Sequence, residues 1–203
     1  MSDPFEMGDS GDTSHLVWKD VSPVRVAHHT PIFDVATIER VSTDGRRGTF
    51  VKIVCPLWVT VIPWYRSTEG KPMFVMEQQY RHGSGTVTRE FPAGLVEKGE
   101  EPQRAAIREL REETGCMPAR IRSIGNINPN SAFMSNRSYF FLAEDVCPVS
   151  GQTLDENEQL DVLSVPVSEV IKDIGTGLYD NGIMMIAVGF FMKEATTRPE
   201  LLA

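Results

Sequence analysis

The sequence predicts an α+β fold, an α/β/α sandwich around a mixed central sheet, on three observations. Short β-type runs fill the first ninety or so residues, one clear helical pattern covers 102–114, and strands resume beyond it before two C-terminal helical patterns. Strands therefore stand on both sides of one central helix without regular β–α alternation. At 203 residues the chain has the length of one domain with, at most, an added arm. Its 41% hydrophobic and 24% charged residues exclude collagen, coiled coil and wholesale disorder.

Taken in order, residues 1–20 are polar and rich in Gly, Asp and Ser, and are expected to form a flexible N-terminal segment. Residues 33–41 alternate loosely, and 42–48 read as a hairpin turn into a strand over 49–55. Strands are expected over 58–64, 73–79 and 86–91, the first two joined by a turn at 67–71. The helix over 102–114 is followed by expected strands near 121–127, 138–143 and 159–165, then helices near 168–174 and 181–195.

Charge and cysteine usage narrow the function classes. Lys and Arg total 20 against 28 Asp and Glu, a net charge of −8, so a broad cationic face for a nucleic acid or an anionic membrane is not expected. The least charged stretches, 53–65 and 183–192, fall short of the 18 or so apolar residues of a spanning helix. The acidic start (Asp3, Glu6, Asp9, Asp12) lacks the basic-then-apolar order of a signal peptide. Cys55, Cys116 and Cys147 are odd in number and show no CxxC spacing, so they read as reduced core or near-core thiols. A cytoplasmic protein is the expectation.

The stretch from Gly94 to Cys116 carries the chemistry. Glu101 stands at the cap position, Pro102 suits the first helical position, Ala105 and Ala106 favour helix, and Gly115 suits the stop. Glu109 and Glu113 then lie one turn apart on one face, with Glu112 three residues from Glu109. Like charges at this spacing cost about 0.2–0.5 kcal/mol per pair in an isolated helix. The helix dipole also opposes carboxylates near the C-terminal end. A dication reverses both penalties, and hard cations such as Mg²⁺ choose oxygen ligands. A solvated acidic helix face is the competing explanation, and the glutamates alone do not decide between the two.

The whole stretch resembles the Nudix box, GX5EX7REUXEEXGU with U apolar. Gly94, Glu100, Arg108, Glu109, Leu110, Glu112, Glu113, Gly115 and Cys116 fill its positions. Seven fixed identities would arise by chance in a chain of this length with odds of about one in a million. The resemblance implies a loop–helix–loop on an α/β/α sandwich that holds Mg²⁺, or Mn²⁺ as a substitute, against a diphosphate. By position it implies Glu109, Glu112 and Glu113 as metal ligands, with the carbonyl of Ala93 completing the shell. Arg108 and Glu100 would pair to brace the loop, and Gly94 and Gly115 would serve its turns. The implied reaction is hydrolysis of a nucleoside diphosphate linked to another group, with Arg108 and Glu112 among the catalytic residues.

The flanks point to a branch. Gln79-Tyr80-Arg81, followed by Glu90-Phe91-Pro92-Ala93-Gly94, looks like the arrangement of the ADP-ribose and nucleoside-diphosphate-sugar pyrophosphatases. It implies Gln79, Arg81 and Glu90 as substrate-binding residues, and Arg's planar fork suits diphosphate oxygens. The run Asp155-Glu156-Asn157-Glu158 resembles that branch's acidic loop, which implies Glu156 as water-activating base and Glu158 as accessory metal ligand, the two roles being exchangeable. The branch's proline beyond the box has its nearest counterpart in Pro129, 13 residues past Cys116, a departure that bears on the terminal sugar. Of the histidines, His82 beside Arg81 is the one near the implied site. Residues 23–46 resemble the strands with which this branch pairs two subunits. A homodimer follows as an expectation, with Phe33 either an aromatic wall for a base or ordinary core. The domain reading is a 1–20 segment, a β extension over 21–56 and a hydrolase domain over 57–203. Two further readings compete: a dinucleoside polyphosphate or nucleotide hydrolase, and a ligand-sensing module without catalysis.

Overall fold

A computed structural model describes residues 12–154 and 156–203. The expectations for residues 1–11, and for Asp155 in the acidic loop, lie outside the described residues. The chain divides into two compact units, the smaller ending at Cys55 and including Asn130–Ser135, the larger made of Pro56–Pro129 and Asn136–Ala203.

The smaller unit is an antiparallel sheet of four strands: β1 (Trp18–Asp20), β2 (Arg25–His29), β3 (Asp34–Ser42) and β4 (Arg47–Val54). β3 is its axis. β4 pairs along its whole length from Asp34↔Val54 to Val41↔Arg47, while β1 and β2 share its other edge, Trp18 opposite Ser42 and Arg25 opposite Thr37. The expected hairpin is present: the Ser42 amide donates to the Arg46 carbonyl at 2.9 Å, and Gly45 takes the positive φ that the turn requires. Trp18 meets Phe50 edge to face at 5.2 Å, so β1 begins inside the stretch expected to be flexible, and the extension starts before residue 21. Alternation buries Ala36 and Ile38 on one face of β3.

In the larger unit β5 (Trp58–Arg66), β6 (Pro72–Arg81), β10 (Arg120–Ile127), β11 (Ser138–Glu144) and β13 (Leu160–Pro166) lie in the order β10-β11-β5-β6-β13. β7 (Thr86–Glu90) joins β6, and β8 (Ala93–Leu95) joins β5. β11 and β5 run parallel and every other pairing is antiparallel, so the sheet is mixed as expected. A two-strand ladder that the sequence reading did not anticipate ties β9 (Cys116–Met117) to β12 (Cys147–Pro148). Cys147 in that ladder is exposed, which corrects its reading as a core or near-core thiol; Cys116 is buried and Cys55 half-buried.

Both faces of this sheet are covered. Val59, Val61 and Val75 point to the side of α1 (Pro102–Thr114), whose Ala105, Ala106 and Leu110 fill that core. The alternate residues Ile62, Trp64, Phe74 and Met76 pack on the other side with α2 (Val167–Asp173) and α3 (Gly182–Ala195). The α/β/α sandwich thus follows from period-two alternation in strands buried on both faces. Leu110 is fully buried, and truncating such a side chain to alanine costs about 2–5 kcal/mol. No helix among the described residues is long and apolar enough to cross a membrane.

Candidate active site

α1 positions the site. Pro102 occupies its first turn, Glu101 flanks it without a side-chain cap bond, and Gly115 ends it in the left-handed region at φ +70°. The apolar stripe Ala106–Leu110 continues into Glu113, which is only 5% exposed. Moving outward, the Glu109 side chain is 13% exposed and that of Glu112 43%. The three glutamates therefore span a gradient from core to solvent.

Arg108 organises the outer part. Its Nε and Nη2 donate to the two oxygens of Glu100 at 3.1 and 3.0 Å, and Nη2 also reaches the Leu95 carbonyl at 3.0 Å. Nη1 donates to Glu109 at 2.8 Å and to Glu112 at 3.1 Å. The expected brace between Arg108 and Glu100 is present, and the same guanidinium holds two of the box carboxylates. This pairing lowers the Glu100 pKa. Burial raises that of Glu109 despite the neighbouring guanidinium. A Cβ at Gly94 would overlap the Glu109 carboxylate, so the loop can pass this close only without a side chain.

The inner part lacks such a cation. Glu113 accepts from the Ala93 amide at 3.0 Å, which puts the Ala93 peptide beside the box carboxylates. Against it stands Glu77 of β6, a residue that the sequence reading passed over. Glu77 has no exposed surface, and neither of its carboxylate oxygens meets a hydrogen-bond donor among the described residues. Burial pushes Glu77 well above the usual carboxylate range, and burial first, then the charge of Glu77, does the same to Glu113. The alternation of β6 carried the signal: Val75, Glu77 and Gln79 share the α1 side, so a glutamate interrupts an inward-facing row.

This arrangement suits a hard dication. All the donors are oxygens, and two adjoining carboxylates are buried, one of them, Glu77, without a hydrogen-bond partner for either oxygen. Glu109, Glu112 and Glu113, with the Ala93 carbonyl, are the groups that would hold it. Among the described residues the side chains do not already converge as a three-ligand cluster, since Arg108 draws Glu109 and Glu112 to itself.

The substrate-side residues meet at a cleft of about 820 Å³, whose wall includes Gln79, Arg81, His82 and Glu158. The box glutamates are not on its wall, yet the charge of Glu158 reaches both Glu77 and Glu109, and that of Arg81 reaches Glu77. Arg81 donates through Nε and Nη2 to both oxygens of Glu90, at 2.9 and 2.6 Å. Burial alone would raise the Glu90 pKa, but this clamp and the Thr88 hydroxyl lower it. Glu90 is itself buried, so it serves as the anchor that aims Arg81. Glu156 is exposed and does not line this cleft. Tyr80 and His82 stack edge to face at 5.3 Å on the rim. In the smaller unit Phe33 is exposed, which sets aside its reading as ordinary core.

The NUDIX domain model matches residues 57–180, more than half of the chain, and the chain belongs to that family. An ADP-ribose pyrophosphatase of Bacillus subtilis is 35% identical over 105 residues, 51% of this chain and 56% of that one. The chain thus spans little more than half the length of that relative. An ADP-sugar pyrophosphatase of Mus musculus is 26% identical over 213 residues, 96% of this chain and 94% of that one. The crystal structure of an ADP compounds hydrolase superposes with a TM-score of 0.76 at 18% identity, covering 90% of this chain and 96% of that one. At that identity the likeness shows the shared fold.

Proposed function

We propose that this protein is a divalent-metal-dependent pyrophosphohydrolase. It cleaves the diphosphate of ADP-ribose or a nucleoside diphosphate sugar into a nucleoside monophosphate and a sugar phosphate. The observation that carries this reading is the pairing of an oxygen-only acidic centre with a cleft presenting an anchored arginine. The similarity of the chain to relatives named for ADP-ribose and ADP-sugars supports the substrate class. A dication held by Glu109, Glu112, Glu113 and the Ala93 carbonyl supplies the positive charge that diphosphate oxygens need. Mg²⁺ is the proposed ion, with Mn²⁺ as a substitute.

The remaining roles belong to the chain. Arg81 binds diphosphate oxygens, steadied by Glu90, and Gln79 lies beside it on the cleft wall. Arg108 and Glu100 keep the box loop in register with the helix. An attacking water must lose a proton during in-line displacement, and the box carboxylates are committed to the cation. Of the two glutamates in the acidic loop, Glu158 lines the cleft and Glu156 does not, so we assign the base to Glu158 and give Glu156 no part in the reaction.

The test is a panel of ADP-ribose, nucleoside diphosphate sugars, dinucleoside polyphosphates and nucleoside triphosphates with Mg²⁺, its products identified chromatographically. AMP plus ribose 5-phosphate from ADP-ribose, abolished by excess EDTA, is the expected result. Turnover that persists in EDTA, or that is confined to triphosphates, would overturn the reading.

A further inference from the structure

The deepest carboxylate of the site comes from a strand and lies outside the box. We infer that Glu77 is a further carboxylate donor to the cation, reaching it alongside Glu113, so that the metal centre joins β6 to α1; this rests on the proposed metal dependence.

Four observations meet on this residue. Glu77 is fully buried, and both of its oxygens lack a donor among the described residues. Leaving a carboxylate in that condition costs several kcal/mol, and native interiors avoid it unless a proton, a water or an ion takes up the lone pairs. Its immediate neighbour is a second buried carboxylate, Glu113, which the Ala93 amide fixes in place. The positive side chain that acts on it, Arg81, spends two of its donors on Glu90, the residue opposite Glu77 on β7.

A core that needed only volume here would be filled by valine or leucine, as Val75 fills the same face two residues earlier. Beside Glu113 at the strand–helix boundary, Glu77 offers two hard oxygens that Arg108, bonded to Glu100, Glu109 and Glu112, does not engage. The outer glutamates already share a hydrogen-bonded guanidinium, whereas Arg81 acts on the inner pair only through its charge. A doubly charged ion fits that inner pair better than any monovalent partner would.

The experiment measures Mn²⁺ binding to the full chain, without nucleotide, by calorimetry and by the loss of the free-ion electron paramagnetic resonance signal. Wild type is compared with Glu77→Gln, Glu77→Met and Glu113→Gln, and all four are melted in EDTA and in Mn²⁺. Both Glu77 variants should bind Mn²⁺ at least about tenfold more weakly. In EDTA they should melt no lower than wild type, because a buried carboxyl without a hydrogen-bond partner has been removed. Mn²⁺ should raise their melting temperature less than it raises that of wild type. Wild-type Mn²⁺ affinity in both Glu77 variants, with Glu113→Gln weakened, would overturn this inference and leave the metal-dependent reading intact. Wild-type affinity in Glu113→Gln as well would overturn both. Loss of cooperative melting by both Glu77 variants in EDTA would also overturn the inference, since the carboxylate would then be a structural requirement without any cation.

Discussion

Arg81 shows how one side chain is prepared for its task. Two of its donors are fastened to a buried glutamate, which fixes the plane of the guanidinium before any substrate arrives. A lysine keeps the charge and loses the fork. Arg81→Lys is therefore expected to raise KM for a diphosphate substrate by about tenfold while kcat changes less. Steady-state kinetics check this, and an unchanged KM for every diphosphate tested would remove Arg81 from the site. Glu158→Gln should lower kcat by orders of magnitude, whereas Glu156→Gln should leave it near wild type. The opposite pattern would restore the assignment of the base to Glu156. Sequence reasoning singled out Arg81, Glu90 and the box glutamates because they stand in a spaced motif. It missed Glu77 because a lone acidic residue in a strand carries no motif, and only alternation against Val75 marks it as buried.

At the level of elements, the two motif glycines do different things. Gly115 ends α1 at φ +70°, and a Cβ there would also run into the Ser150 carbonyl. Gly94 needs no special backbone; it is small because the Glu109 carboxylate lies against it. Gly115→Ala is expected to cost about 1–2 kcal/mol of stability through strain in the left-handed region. Gly94→Ala should instead displace Glu109, weakening Mn²⁺ binding and activity with a smaller loss of melting temperature. Thermal melting with a Mn²⁺ titration separates the two. α1 itself was legible from Pro102, the alanines and Gly115, since these act locally. β8 and the β9–β12 ladder were not, because two- and three-residue strands exist only through the partner that pairs with them.

For the molecule as a whole, a buried carboxylate away from the site gives a contrast to it. Glu144, at the end of β11, is 3% exposed and accepts from Arg198 at 2.6 and 3.1 Å, with Arg122 at 3.6 Å. The Arg198 hydrogen bonds hold its pKa below the usual value despite burial. A depressed folded-state pKa stabilises the protein above the unfolded carboxylate pKa, and the contribution is lost as pH falls through the folded value. Glu144→Gln should accordingly melt lower than wild type near neutrality, by roughly 2–10 °C for about 1–3 kcal/mol. The gap should narrow on acidification below about pH 4.5. A gap independent of pH would show that the loss is one of packing alone.

The parallel seam between β5 and β11 has a consequence in time. Trp58 pairs with Ser138 and Trp64 with Glu144, and β6, β7, β8, α1, β9 and β10 all lie between them in the chain. During synthesis the box, its helix and the arginine clamp are therefore complete before the strand that seals the centre of the sheet has been made. Until residue 144 emerges, one edge of β5, which carries six consecutive buried residues, has no neighbour to hydrogen-bond. An unpaired apolar edge is a template for other chains. Distant pairing of this kind also slows closure once the strand is available. A nascent chain stalled short of Ser138 would thus carry the whole catalytic motif on a scaffold still open to aggregation.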